Sequence, residues 1–174
     1  MMNEAAQKLA LAMMRYDQGD PMRIQHFMKV YLFASMIGRE ENLDEREQLT
    51  LETAALVHDI GIHRAEELYG SSAGKYQELL GPAEAESMLR AMSYPENIIE
   101  RVCFLVGHHH TYDKIDGKDY QILIEADCLV NLYEDQIPAS GQKEMYDRIF
   151  RTEAGKRLFR LQYPIDPADR RENQ

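Results

Sequence analysis

Tryptophan is missing from this chain, cysteine occurs only twice, and no run of residues is long and apolar enough to cross a bilayer. Cys103 and Cys128 are too few for the disulfide framework of a small secreted protein. Neither stands in a Cys-x-x-Cys pair that would indicate zinc or redox chemistry. Positive charge is scarce too: 20 Lys and Arg against 30 Asp and Glu leave a net charge of −10. Polyanion binding draws its affinity from clustered basic residues, so a nucleic-acid polymer is excluded as the expected partner. A small anionic ligand is not excluded, because one divalent cation supplies more local positive charge than any side chain. Glu4 and Lys8 interrupt the apolar start that a signal peptide needs. With no spanning segment either, the expectation is a cytoplasmic protein without a membrane partner.

Alternation of β-branched and polar residues is absent as well, and the apolar residues that are present recur at intervals of three and four. The fold class expected is therefore all-α, a single domain over residues 1–165 with its core at about 20–135, and a polar C-terminal tail at 166–174. Ten methionines suggest an adaptable helical core. Asp20-Pro21 places a capping side chain before a proline at the first helical position, so Met22 to Ile37 reads as one long helix ending at Gly38. A third helix begins near Asp44 and stops near Gly61. Gly70 to Gly74 reads as a flexible stretch, Gly81-Pro82 as the opening of a helix through Met92, and Pro95 to Gly107 as another. A helix from Tyr120 to Glu134 follows a polar loop, and one or two weaker helices come after Pro138.

Several polar residues sit awkwardly in this pattern. His26 shares a helical face with Val30, Phe33 and Ile37 and points inward, where a neutral histidine bonded to a carbonyl is the ordinary case. Asp127 stands among Leu123, Ile124 and Val130, and a buried carboxylate demands a cationic partner, either an Arg or Lys from another helix or a metal ion. His58 and Asp59 lie side by side at a helix end, where the backbone can turn both toward one point. His108, His109 and His110 head the polar loop, and loops are where functional groups gather.

Taken together, His26 in RIQHFMKVYLFA, the pair in AALVHDIGI, the histidines in VGHHHTYD and Asp127 in ILIEADCLV resemble the HD domain superfamily of metal-dependent phosphohydrolases. That resemblance implies an HD-type helical bundle in which His26, His58, Asp59 and Asp127 bind a divalent ion: manganese, iron, magnesium, nickel, cobalt or zinc. It further implies hydrolysis of a small phosphate ester such as a nucleotide. Asp59 would act as proton acceptor, with His109 and His110 assisting through a second ion, phosphate contact or protonation of the leaving oxygen. Arg23, in an Arg-x-x-His spacing, and Lys114 are the candidate substrate contacts.

The chain also departs from its relatives. Members with two metals often carry a histidine where Gln77 stands in YQELLGP, with Glu78 one position off as a substitute, so one ion is favoured over two. Ile62 and His63 replace the acidic pair of guanosine-tetraphosphate hydrolases, and the Gly-Tyr-Pro of cyclic-dinucleotide phosphodiesterases is missing after the histidines. His63 reads as a surface residue at a helix start in preference to a group standing behind the site. The competing readings are a di-iron oxygenase and a regulatory module that binds metal or nucleotide without turnover. The residues leave open whether the chain is a monomer or a homo-oligomer.

Overall fold

Free N–H groups at the start of a helix need acceptors, and four helices here carry a side chain that supplies one. Asn3 caps α1 (Glu4–Tyr16), Asp20 caps α2 (Pro21–Glu40), Asp44 caps α3 (Glu45–Val57) through a reciprocal box with Glu47, and Thr152 caps α9 (Glu153–Gln162). Between them lie α4 (Ile62–Tyr69), α5 (Gly74–Ala91), α6 (Glu96–Val106), α7 (Lys118–Glu134) and α8 (Ala139–Ile149). This computed structural model describes residues 2–165 and contains no strand among them. The expected polar tail at 166–174 lies outside the described residues. The all-α, single-domain expectation holds.

Helices α2, α3 and α7 form the centre, with α6 against α3, α5 against α6, and α8 and α9 against α7. Their shared interior is built of Val30, Ala34, Ile37, Leu51, Ala54, Leu105, Leu123 and Ala126, all fully buried. Each large aliphatic side chain removed from water contributes about 1.5–3 kcal/mol. The expected methionine-rich core is not what forms. Among the described residues only Met13 is buried, while Met22 and Met36 are exposed. Leu, Ile, Val and Ala fill the helix contacts, and the methionines mostly border them.

Two helix boundaries also differ from expectation, both because glycine serves close packing rather than helix ending. A Cβ on Gly38 would stand 2.5 Å from Gln48 Oε1 and 2.9 Å from Leu51 Cδ2, so its bare Cα lets α2 approach α3. The helix continues to Glu40, and Asn42 takes the left-handed turn at φ 57°. Gly81-Pro82 does not open a helix either; α5 runs through it with Pro82 inside. A Cβ on Gly81 would meet Val106 at 2.7 Å, and one on Gly61 would meet the Gly81 nitrogen at 2.8 Å. This close contact seats α5 against α6 and the turn after α3, which outweighs the hydrogen bond lost at Pro82.

Candidate metal centre

His58 is the residue at which α3 ends, and Asp59 follows in a tight turn closed by Ile60 N–H to Val57 O and Ile62 N–H to Asp59 O. That turn delivers both side chains to the same place. His26 arrives from the first turns of α2 and Asp127 from the middle of α7, so four side chains from three elements converge on one point. His26 Nε2 lies 3.1 Å from His58 Nε2, 3.4 Å from Asp59 Oδ2 and 3.2 Å from Asp127 Oδ1. His58 Nε2 is 3.5 Å from Asp59 Oδ2 and 3.6 Å from Asp127 Oδ1.

The hydrogen bonds on the far side of each ring fix which nitrogen carries the proton. His58 Nδ1–H donates to Ala55 O at 3.0 Å, His109 Nδ1–H to Val106 O at 2.8 Å, and His26 Nδ1–H to Glu134 Oε2 at 2.7 Å. Each ring, when neutral, thereby turns the lone pair of its Nε2 toward the carboxylates. Lone pairs of His26 and His58 facing each other at 3.1 Å, beside two carboxylates, repel unless a cation stands among them. The spacings also fit: ligand atoms each about 2.1 Å from one ion lie about 3.0–3.4 Å apart in octahedral or tetrahedral arrangement. His109 Nε2, fully buried, has no hydrogen-bond partner and sits 3.4 Å from Asp59 Oδ1. An orphaned buried acceptor aimed at a carboxylate is a second sign that an ion belongs here.

Electrostatics agree. Burial alone would lower the pKa of His26, but the hydrogen bond to Asp127 and the charges of Asp59 and Asp127 outweigh it and push it up to about 9. Burial likewise works against ionised Asp127, yet His26 and His58 hold its carboxyl well below the usual range. The centre thus attracts positive charge, a proton at His26 where no ion is bound. Asp59 is shared between two groups of potential ligands, one with His26 and His58 and one with His109 and His110.

These side chains open onto a cleft of about 370 Å³ whose wall includes Arg23, His26, Asp59, Gln77, His110 and Asp127. His110 Nε2 hydrogen-bonds Gln77 Oε1 at 3.2 Å, and Gln77 in turn donates to Ser72 O. Gln77, standing where a histidine was looked for, therefore orients His110. A Cβ on Gly74 would lie 2.7 Å from the His110 ring, so only glycine fits at the start of α5. Burial and neighbouring His109 lower His110 to about 4, leaving it neutral. Glu78 does not substitute as a ligand: its carboxylate accepts from His110 N–H and the Thr111 hydroxyl and staples the histidine loop.

The remaining candidates are placed less centrally. Arg23 lines the cleft, but its guanidinium donates to Glu66 at 2.6 Å and faces His63 Nδ1 at 3.0 Å. His63 is no plain surface residue, since its Nε2 also meets buried Asp17 at 2.8 Å. His108 turns away, bonding Phe104 O and stacking on the Phe104 ring. Lys114 is exposed on the loop before α7 and has no place in the cleft wall.

Sequence reasoning missed Glu134 and Asn131. Glu134 holds His26 and also pairs with Lys29, and Asn131 donates to Asp127 Oδ1 at 2.9 Å. A signal existed: Asp127, Asn131 and Glu134 recur at four and three residues along α7, one polar stripe down one face.

A family model described as the HD domain matches residues 23–143, the span that carries every candidate ligand named above. The chain belongs to the HD domain family. A search of curated proteins finds no match. Among solved structures, this HD chain is similar to the crystal structure of a predicted HD superfamily hydrolase from an uncultured Thermotogales bacterium. Sequence identity is 24%, the TM-score is 0.65, and the match covers 90% of this chain and 84% of the other. The likeness is one of fold. No helix among the described residues is long and apolar enough to cross a membrane.

Proposed function

We propose that this HD protein is a metal-dependent phosphohydrolase acting on a small ester that carries a single phosphoryl group. The observation that supports it most is the set of Nε2 atoms of His26, His58 and His109, whose Nδ1 atoms are bonded elsewhere, turned on the carboxylates of Asp59 and Asp127. His26, His58, Asp59 and Asp127 would hold one divalent ion; Asp59, His109 and His110 would hold a second. When bound, such ions supply Lewis-acid polarisation of a phosphoryl oxygen and acidify water at neutral pH.

The chain's own groups do the rest. Asp59 reaches both ligand groups and opens onto the cleft, where its carboxylate takes the proton of the attacking water. Glu134 fixes the His26 ring, and Gln77 fixes His110, so neither ligand spends free energy on reorientation. Arg23 at the cleft wall shares its charge between the incoming phosphoryl group and Glu66.

Charge in the cleft supports the single phosphoryl group. Among the described residues Arg23 is the one Lys or Arg side chain in its wall, against Asp59, Asp127, Glu134 and Asp135. Substrates with several phosphates would meet repulsion beyond the reach of the ions.

Elemental analysis of protein purified without chelating resin, joined to a panel of phosphate esters, tests the reading. Stoichiometric metal and ester hydrolysis, both lost in His58→Ala and Asp127→Ala, are the expected result. Metal content that is absent, or unchanged in both variants, would sink it.

A further inference from the structure

A second cavity of about 250 Å³ opens on the other side of Asp127, between α7 and α8. Asp127, Asn131 and Asp135 stand in the walls of both this cavity and the metal cleft, so the two are adjoining lobes of one site. Its sides are apolar: the Tyr112 ring, Leu132, Ile137 and Met145. Its lining is also acidic, with Asp135 and Glu144 exposed and their carboxylates making no hydrogen bond or ion pair among the described residues. Neither carboxylate is used by the fold or by the metal centre.

A flat ring fits apolar walls of this kind, and free carboxylates at the rim select a ring that presents N–H donors over one that presents carbonyls. Resting on the phosphohydrolase reading above, we infer that this lobe seats the alcohol portion of the ester, a heteroaromatic ring bearing an exocyclic amine, as in an adenine or cytosine nucleoside. The phosphoryl group lies at the centre on the near side of Asp127 and the ring on the far side. This assigns Asp135 and Glu144 as specificity residues, a role that the family match does not supply.

Adenosine and inosine make the cleanest probes, because they differ chiefly in an amine against a carbonyl and need no turnover to be read. Calorimetry on the metal-loaded full chain is expected to show adenosine binding about tenfold tighter than inosine. Glu144→Gln, a surface change that leaves the fold intact, should erase most of that preference. Met145→Trp, which fills the lobe, should abolish binding of both at unchanged metal content. Equal binding of the two nucleosides, or a preference untouched by Glu144→Gln, overturns the inference. Its failure is separable from that of the hydrolase reading. If adenosine 5′-phosphate is cleaved no better than ribose 5-phosphate, which has the same leaving alcohol type, the lobe is wrong and the hydrolase stands. If adenosine is preferred but no ester is cleaved, the reverse holds.

Discussion

Glu125 and Asp127 stand two residues apart on α7, both buried, and their surroundings differ in kind. Glu125 accepts from the backbone N–H groups of Arg151 and Thr152, the Thr152 hydroxyl and the Gln121 amide. Both of its oxygens meet donors, and burial raises its pKa. Asp127 meets one amide donor, Asn131, and otherwise the lone-pair faces of His26 and His58, which hold its pKa down only by taking up positive charge. A buried acid among neutral donors is a clasp, here joining α7 to the start of α9. A buried acid among imidazoles of fixed tautomer is an ion site. Burial alone does not separate the two; the partners do.

Alanine at each position should break the pair in opposite ways. Asp127→Ala is expected to lose the metal and about a thousandfold in turnover while remaining folded. Glu125→Ala should keep its metal and lose about 3 kcal/mol of stability, because buried N–H groups at Arg151 and Thr152 are orphaned. Metal analysis and urea unfolding on both variants check this; metal loss in Glu125→Ala would collapse the distinction.

A milder probe is Glu134→Gln, which leaves an acceptor for His26 Nδ1–H but removes its charge. Metal affinity should weaken about 10–100-fold at unchanged stoichiometry, as measured by competition with a chelating dye.

Acidity sharpens the contrast further. Glu125's raised pKa makes its contribution fully present below its unfolded value of 4.5 and partly lost as pH rises through the folded value. In metal-free protein, protonated His26 contributes fully below 6.5, and that contribution is lost as pH rises through about 9. Urea midpoints should therefore fall as pH rises above 4.5 and fall again across an upper window from 6.5 to about 9, and saturating manganese should remove the His26 part of the upper fall, because the ion takes the proton's place. A slope in the upper window that manganese leaves unchanged would contradict the centre. The smallest effect is expected at Lys114, whose replacement by alanine should leave KM within about twofold, since it stands outside the cleft wall.

Much of this molecule can be read from the chain alone. The helix starts at Pro21 and Glu45 follow from Asp20-Pro21 and from the Asp44 to Glu47 box, which are local devices acting within one turn. His26, His58, Asp59 and Asp127 stand out because a polar residue on an apolar helical face has to be accounted for. Gly38 and Gly81 mislead for the opposite reason: the same missing Cβ that ends a helix in isolation also permits another helix to come close, and nothing local distinguishes these uses. Glu134 and Gln77 were illegible as ring-orienting groups, because each acts on a side chain from a distant element, Glu134 on His26 and Gln77 on His110.

Periodicity and caps thus determined an all-helical chain, since those signals depend on neighbours within a few residues, and the segments around His26, His58-Asp59 and Asp127 carried the resemblance to the HD family. Only the tertiary structure decided which imidazole nitrogen faces the centre, that Arg23 is already paired with Glu66, and that Asp127 divides a metal cleft from an apolar lobe. Those features depend on atoms that the chain brings together from far apart, within hydrogen-bonding reach of about 3 Å, where the identity of a residue no longer tells what it touches.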